Sequence, residues 1–449
     1  MSAAYQIPPL APSFPFLRPA TPADAVIGVQ PRHVAEPPNA EALAAVLKWA
    51  NEHCLKVAAR GGGSKLDWGN PPRALDLVIS TAALNRVVEH AFDDMTATVD
   101  AGCTVADCQR SLAEHRQRLA LDPLFPTQAT IGGVLATNDS GSLRLRFGSL
   151  RDLIIGITVA LPDGTLARSG GKVVKNVAGY DLPKLFTGSL GTLGIITQAT
   201  FRLHPLPHAA ETRTFRFAGV RQANEFLLAL LDSTLVPAAV QIRAGRQRGP
   251  RQARLWLAGV ERGTWVDIRY EGIPAGIEAQ VRRTEAMASG RERDSPEVWK
   301  AREALWMRAG DGVPSKPGVP GEPDFGSLGW ESCICKFSVL PAELGSLCER
   351  LEQLAGDLGL DWVAVAQATG IGLVRLEGAL DPLAPAVLRL RAEIERGGGS
   401  LVVLQCPGLL RHALDAWGSV GTALPLMQRV KQQFDPAVIL NPGRFAGGI

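Results

Sequence analysis

The chain has no block of basic residues, no C-x-x-C-x-x-C cluster and, at its start, no apolar run that would make a signal or a membrane span. Each absence removes a class of protein. Its 47 Lys and Arg against 44 Asp and Glu leave a net charge of +3, and no element carries the clustered cations that grip a polyanion, so nucleic acid is excluded as a partner. Seven cysteines, Cys54, Cys103, Cys108, Cys333, Cys335, Cys348 and Cys406, are scattered and odd in number with no signal peptide before them. They read as reduced, mostly buried thiols of an intracellular protein. Cys333 and Cys335 share one face of a strand-like run, but no third or fourth ligand accompanies them, so the chain is expected to hold neither metal nor iron–sulfur cluster. The proline-rich start MSAAYQIPPLAPSFPFLRP lacks a basic head and a continuous apolar core. Residues 1–25 are expected to form an extended arm, packed on a partner or disordered. The remaining composition, 46% hydrophobic and 20% charged over 449 residues, is that of a globular protein with length for two or three domains.

The residues that are present sort into an α+β pattern. Asn39 precedes an apolar stripe at Leu43, Val46, Leu47 and Ala50, the spacing of a buried helix face. Strands are expected at 55–59, 75–79 and 96–100, and Thr104 with Asp107 makes a capping-box-like start for a helix to about residue 119. A strand over 153–161 meets Asp163-Gly164, a tight-turn pair, and returns over 165–168. After a further strand at 195–203, HPLPH ends the unit near residue 208. Residues 211–420 alternate strands (240–243, 254–259, 336–340, 362–369, 373–377 and 401–405) with helices at 341–358 and 383–396. Within them, 290–328 is expected to be a long loop or lid. The last helix stops at Asp435-Pro436, and no internal repeat is visible.

Three glycine-rich segments carry the chemistry. In RGGGSKLDWGN, residues 60–70, an apolar run breaks into three glycines, which permit positive φ or a close approach to the backbone. Successive backbone N–H groups in such a loop can cradle an anion. The loop runs into Asp67-Trp68-Gly69-Asn70-Pro71-Pro72, a poor helix start, which counts against a nicotinamide-dinucleotide fold needing G-x-G-x-x-G at a helix opening. PTQATIGGVLATNDSG, residues 126–141, is a small-residue path with hydrogen-bonding side chains, and GSLGTLGIIT, residues 188–197, spaces three glycines before a strand. Each alone is an ordinary turn signal; the three in this order are not.

These segments, with RFGSLRD, KNVAGYDLPKLFTGSLGTLGIIT and the terminal FDPAVILNPGRF, resemble the PCMH-type FAD-binding domain of vanillyl-alcohol oxidase-like flavoproteins. With KLDWGN, LRLRFGSLRDLI and NPGRFAGGI added, residues 26–449 most resemble the family of FAD-binding subunits of bacterial glycolate oxidases. The resemblance implies an FAD domain over 26–208, an inserted α+β cap over 211–420 and a C-terminal segment, 421–449, that returns to the FAD domain. It implies that Arg60, Gly61, Gly62, Gly63 and Ser64 lie over the pyrophosphate. Thr130, Gly132, Gly133, Thr137, Asp139 and Ser140 would lie near the pyrophosphate and flavin ring, and Gly194 and Ile195 near the adenosine end. Many relatives carry a histidine, covalently bonded to the flavin, where this chain has Ser64; FAD is therefore expected to be noncovalent. Partners implied are a second flavin subunit, with histidines holding a metal in an H-x-G-D-G-N-x-H-like segment, and an iron–sulfur subunit. A cytoplasmic location, or one peripheral to the inner membrane through those partners, follows.

Oxidation of a 2-hydroxyacid such as glycolate requires a base for the hydroxyl proton and a cation for the carboxylate. The seven histidines form no i,i+4 helical pair and read as solvated or structural. Arg144 and Arg146, which would share a face if extended, and Arg444 are the candidate catalytic cations, with structural ion pairs as the competing reading. Lys172 and Lys175 are candidates for a phosphate or a neighbouring subunit but read better as solvated charges; Trp68 and Tyr180 as rim or core aromatics rather than flavin-stacking groups. Whether this chain's flavin oxidises substrate, relays electrons or only shapes an assembly stays open at this point. The rivals are a self-sufficient FAD oxidase or dehydrogenase of another 2-hydroxyacid, alcohol or lactone, and a flavin-fold scaffold without activity.

Overall fold

The computed structural model describes residues 14–171, 180–246, 263–288, 291–293, 296–306 and 331–449. The expected strand at 254–259, Lys172 and Lys175, residues 1–13 of the arm and residues 307–328 of the expected lid lie outside the described residues.

Two sheets build the first unit. Leu17–Pro19, His33–Ala35, Leu77–Ser80 and Val57–Arg60 lie side by side in that order, the first pair antiparallel and the others parallel. The arm is therefore not free throughout: Leu17–Pro19 is a strand, and Phe14 meets Trp49 edge-on at 6.0 Å between ring centroids. The helix Ala40–Glu52 is capped by Asn39, whose side chain accepts from the amide of Ala42, and buries Leu43, Val46, Leu47 and Ala50 as its spacing requires. The second sheet, wholly antiparallel, has the order Val87–Ala91, Thr96–Asp100, Ile195–Arg202, Ile154–Ala160, Leu166–Gly170.

The helix started by Thr104 spans only Val105–Ala113. Arg116 takes a positive φ of 55°, and Gln109 holds both the amide and the carbonyl of Leu119. The chain thus turns early, and Gln117–Arg118 pairs with His204–Pro205 as a short two-stranded sheet.

The end of the chain returns to this unit. After the helix Leu424–Phe434, Val57 donates to the carbonyl of Ile439 and Asn441 donates back to that of Val57. Buried Lys431 bonds Asp435 (2.6 Å) and the carbonyls of Thr192 and Leu440, tying the third glycine segment to the terminal one.

The intervening residues form an eight-stranded antiparallel sheet in the order Arg291–Arg293, Ala209–Phe217, Gly263–Gly272, Ala239–Arg246, Asp361–Gln367, Ile371–Gly378, Glu331–Ser338, Ser400–Gln405. Helices Val220–Leu231, Pro274–Met287, Leu344–Leu358 and Leu380–Arg396 contribute to the largest apolar core against one of its faces. The other face meets the first unit, where Trp68 and Leu124 pack with Ala301, Leu305, Val365 and Leu404. The elements between 209 and 231 and between 263 and 287 exceed the sequence expectation. Their polar residues had masked a buried strand pair: Asp267 is fully buried yet held by Arg243 (2.6 Å), Thr214 and Gln241.

Candidate active site

The three glycine segments meet around one open cleft. Arg60, Gly61, Gly62, Gly63, Ser64, Thr130, Gly132, Gly133, Thr137, Gly194 and Ile195 all line it. Asp139 and Ser140 do not.

The glycines serve different physical needs. A Cβ on Gly61 would stand 2.1 Å from the Thr130 hydroxyl oxygen, and one on Gly62 would stand 1.8 Å from the carbonyl oxygen of Gln128. These two residues let the first segment lie directly against the second. Gly63 instead supplies a left-handed turn, with φ of +77°. Gly132 is crowded by the Ala101 methyl at 2.8 Å, whereas Gly133 meets only the Thr130 hydroxyl at 3.3 Å. Much of the glycine content thus serves backbone packing, and the cleft wall that results is mainly backbone.

Charges brace this wall. Arg60 donates to Asp24 at 2.8 Å; Asp24 also accepts from Arg18 at 2.8 Å and from the amide and hydroxyl of Thr21. Arg18 first, and Thr21 and Arg60 with it, hold the Asp24 carboxyl far below the usual carboxylate range. Lys65, also lining the cleft, is buried with its Nζ on the carbonyl of Leu124 (3.0 Å) and 3.4 Å from Asp139. Burial pulls its pKa down, with Asp139 opposing. Asp139 further pairs with Arg302 (3.4 Å) and accepts from the amide of Leu124 (2.8 Å), while the Ser140 carbonyl accepts from Arg302 and Gln367. These two residues lock the second glycine segment to the eight-stranded sheet.

Arg444 reaches the cleft floor beside Asn441. It donates to the carbonyls of Leu66 (2.6 Å) and Trp68 (2.8 Å) and to the Asn441 side chain, and burial pushes its pKa down to about 10. Arg144 and Arg146 are not brought there. They fall in a helical turn, Arg144–Phe147, so the extended strand that would have aligned them does not form. Arg144 donates to the Ser140 hydroxyl at 3.3 Å; exposed Arg146 donates to the Glu271 carbonyl at 3.3 Å. Tyr180 is 90% exposed and does not line the cleft, and Trp68 is buried in the wall of a second cavity rather than of the cleft.

A second cavity, of about 270 Å³, opens between the first unit and the inner face of the eight-stranded sheet. It shares Ala136, Thr137 and Leu190 with the cleft and adds Asn138, Trp417 and Lys336. The sequence pointed to Asn138 as a hydrogen-bonding side chain of the second glycine segment but singled out neither Trp417 nor Lys336. A lysine inside the apolar run CICKF reads as a solvent-facing strand position, and only the packing of the two units shows that its face is covered.

Unsatisfied groups surround both spaces. Among the described residues, buried Arg444 Nε, Trp68 Nε1 and Asn138 Oδ1 have no partner, although buried polar groups nearly always find one. A backbone-walled cleft with Arg60, Lys65 and Arg444 around it suits the diphosphate of a dinucleotide, and donors and an acceptor at the junction suit the heteroatoms of a flavin ring. The residues fit FAD.

Comparison with known proteins agrees. Residues 31–170 match the family described as FAD binding domain, and 416–445 match that described as FAD linked oxidases, C-terminal domain. The D-lactate dehydrogenase of Archaeoglobus fulgidus is 38% identical over 432 residues, 92% of this chain and 90% of that protein. The glycolate oxidase subunit GlcD of Bacillus subtilis is 33% identical over 211 residues, a stretch covering 47% of this chain and 45% of that subunit. A D-2-hydroxyglutarate dehydrogenase of Xanthomonas citri is 24% identical over 92% of this chain and 89% of that protein. Among solved structures, p-cresol methylhydroxylase superposes with a TM-score of 0.71 at 17% identity, over 93% of this chain and 89% of that one. An alkyldihydroxyacetonephosphate synthase gives 0.66 at 18%, over 92% and 77%. The fold is thus the α+β PCMH-type one, and the cofactor is FAD. The chain belongs to the FAD-linked oxidase family that includes glycolate oxidase subunits and the D-lactate and D-2-hydroxyglutarate dehydrogenases, and is an FAD-dependent oxidoreductase of the 2-hydroxyacid dehydrogenase type.

Proposed function

We propose that this protein is the FAD-binding subunit of a glycolate-oxidising assembly and that its own chamber receives the 2-hydroxyacid. The observation that carries the reading is that the two cavities share Ala136, Thr137 and Leu190 in their walls, which sets a substrate-sized space beside the cofactor cleft. FAD held in the cleft would supply the acceptor for the α-hydrogen with its electron pair, the hydroxyl proton passing to solvent. The chain's residues bind and orient. Arg60, Gly61, Gly62, Gly63 and Ser64 hold the diphosphate through backbone amides and charge. Thr130, Gly132, Gly133 and Thr137 border the path toward the ring, and Gly194 and Ile195 the adenosine end. Arg444 places positive charge at the cleft floor. Asp139 and Ser140 act by fixing the second segment, and Arg144 by steadying Ser140. Ser64 offers no imidazole for a covalent link, so FAD is released by denaturation. A second flavin subunit and an iron–sulfur subunit would carry the electrons onward. In this reading the chain is cytoplasmic and reaches the inner membrane only through them; among the described residues no helix is long and apolar enough to cross it.

A second reading is a self-sufficient dehydrogenase. It is favoured by the relation to the Archaeoglobus fulgidus D-lactate dehydrogenase over nearly the whole of both chains. Anaerobic addition of glycolate or D-lactate to the purified holoprotein, alone and with co-expressed partners, separates the two. Bleaching of the flavin by D-lactate in the lone chain, followed by turnover with a soluble acceptor, supports self-sufficiency. Bleaching with glycolate, with turnover only when partners are present, supports the subunit.

A further inference from the structure

Positive charge gathers where the chain crosses from the first unit to the eight-stranded sheet. His204 faces Arg118 across the short two-stranded sheet. Arg202 lies two residues before His204, and Leu203 between them is turned into the core, so the two polar side chains share the other face. Phe147 is the common neighbour. The centre of its ring lies 4.9 Å from that of His204, 5.0 Å from the Arg118 guanidinium carbon and 5.8 Å from that of Arg146. Three buried nitrogens here, Nε of Arg118, Nε of Arg202 and Nε2 of His204, have no partner among the described residues. Leaving such groups unpaired is costly.

The neighbouring carboxylates are spent elsewhere. Glu271 is gripped by both terminal nitrogens of Arg118 and by Nε of Arg269 at 2.8 Å, and its backbone carbonyl accepts from Arg146 at 3.3 Å. Asp152 accepts from the amide and the hydroxyl of Ser149, at 2.7 and 2.8 Å, and feels Arg202 only as a nearby charge. The guanidiniums of Arg118, Arg146, Arg202 and Arg269 therefore outnumber the carboxylates of Glu271 and Asp152 by two. Burial first, then Arg202, Arg118 and Arg146, lower the pKa of His204, which keeps the imidazole neutral near pH 7.

We propose that this seam is a binding site for a free tetrahedral oxyanion, phosphate or sulfate, whose oxygens accept from Arg202, from the spare Nε of Arg118 and from His204. A dianion matches the excess of two positive charges, and its oxygens outnumber those of a carboxylate where three separate donors converge. Exposed Arg146 stands at the point of entry. Because the unpaired nitrogens are buried, the ion is a free one and not the headgroup of a lipid surface. Once bound it relieves the repulsion between cations of the first unit and Arg269 of the strand Gly263–Gly272, and so holds the two units together.

The test uses the FAD-loaded protein and the variants Arg202→Met and His204→Gln. Sulfate is the probe, because it stays a dianion across neutral pH, with ionic strength held constant by chloride. Calorimetric titration should show saturable binding to the parent protein, weaker by about 10- to 100-fold in Arg202→Met, with FAD content unchanged in both variants. The anion raises the depressed pKa of His204, so binding near pH 7 should take up a proton. The heat should then vary with the ionisation enthalpy of the buffer in the parent and not in His204→Gln. Sulfate should also raise the melting temperature of the parent by more than that of Arg202→Met, whose smaller rise is the general effect of an excluded salt. No saturable heat in the parent, or equal affinity in Arg202→Met, overturns the site. Binding without proton uptake overturns the part given to His204. Phosphate should compete with sulfate; displacement of sulfate by vesicles of anionic phospholipid would overturn the assignment to a free ion.

Discussion

The cofactor cleft and the chamber beside it are built by opposite means. The cleft is backbone: glycines bring three loops so close that Cβ atoms at Gly61 and Gly62 would fall 2.1 and 1.8 Å from their neighbours. The chamber is side chains, contributed by two units distant in sequence and stitched together by Lys65, Asp139 and Arg302. A site made of backbone tolerates no added atom but is indifferent to chemistry, which suits a constant cofactor. One made of side chains is adjustable position by position, which suits a substrate that differs among relatives.

The stitch should be the most sensitive point of that contrast. Asp139→Ala leaves Lys65 and Arg302 buried without their carboxylate, and loss of one member of a buried ionic cluster costs about 3–5 kcal/mol. A urea midpoint shifted by less than a third of that amount would show that the two units do not depend on this contact. Asp24→Asn removes the carboxylate partner of Arg60 and one of the two carboxylate partners of Arg18 and should remove about 1.5–3 kcal/mol, the range for hydrogen bonds to charged groups, together with affinity for FAD. The sign with pH follows from the depressed carboxyl. Its folded pKa lies below the unfolded value, so its contribution is present above about pH 4 and is lost as pH falls toward and below that point. Acid unfolding curves of parent and variant should converge on acidification and stay apart at neutral pH.

Gly62→Ala forces the first loop off the carbonyl of Gln128. Overpacking of this kind costs about 1–3 kcal/mol, and the ratio of flavin to protein absorbance should collapse. Gly133→Ala, where the nearest atom is a hydroxyl at 3.3 Å, should keep more of its FAD than Gly62→Ala. Equal loss at both positions would mean that cofactor approach, rather than loop packing, sets the need for glycine. The smallest effect is expected at Arg146. Exposed, with one bond to a carbonyl, its replacement by Ala should change stability by less than about 0.5 kcal/mol and leave flavin reduction as it was.

The backbone-built part was the more legible in sequence. Three glycine segments in a fixed order, Asn39 before an apolar stripe and the terminal NPGRF all announce local geometry, and local geometry is what short motifs encode. Arg144 and Arg146 misled because two arginines two apart read as one strand face, whereas Gly148 at φ +82° and the turn before it wind them into a helical turn. Lys336 and Trp417 were invisible for a different reason. Their importance arises only when residues about 200 or more positions apart close over one another, and no periodicity along a chain records that.

In the proposed function the two cavities work as one site, with FAD in the cleft and a 2-hydroxyacid in the chamber. The most direct measurement is anaerobic stopped-flow of the FAD-loaded chain with glycolate and with D-lactate, followed at the flavin absorbance. Saturating reduction by a short 2-hydroxyacid is the expected result. A flavin that stays oxidised at every concentration of both, alone and in the presence of its partner subunits, would contradict it.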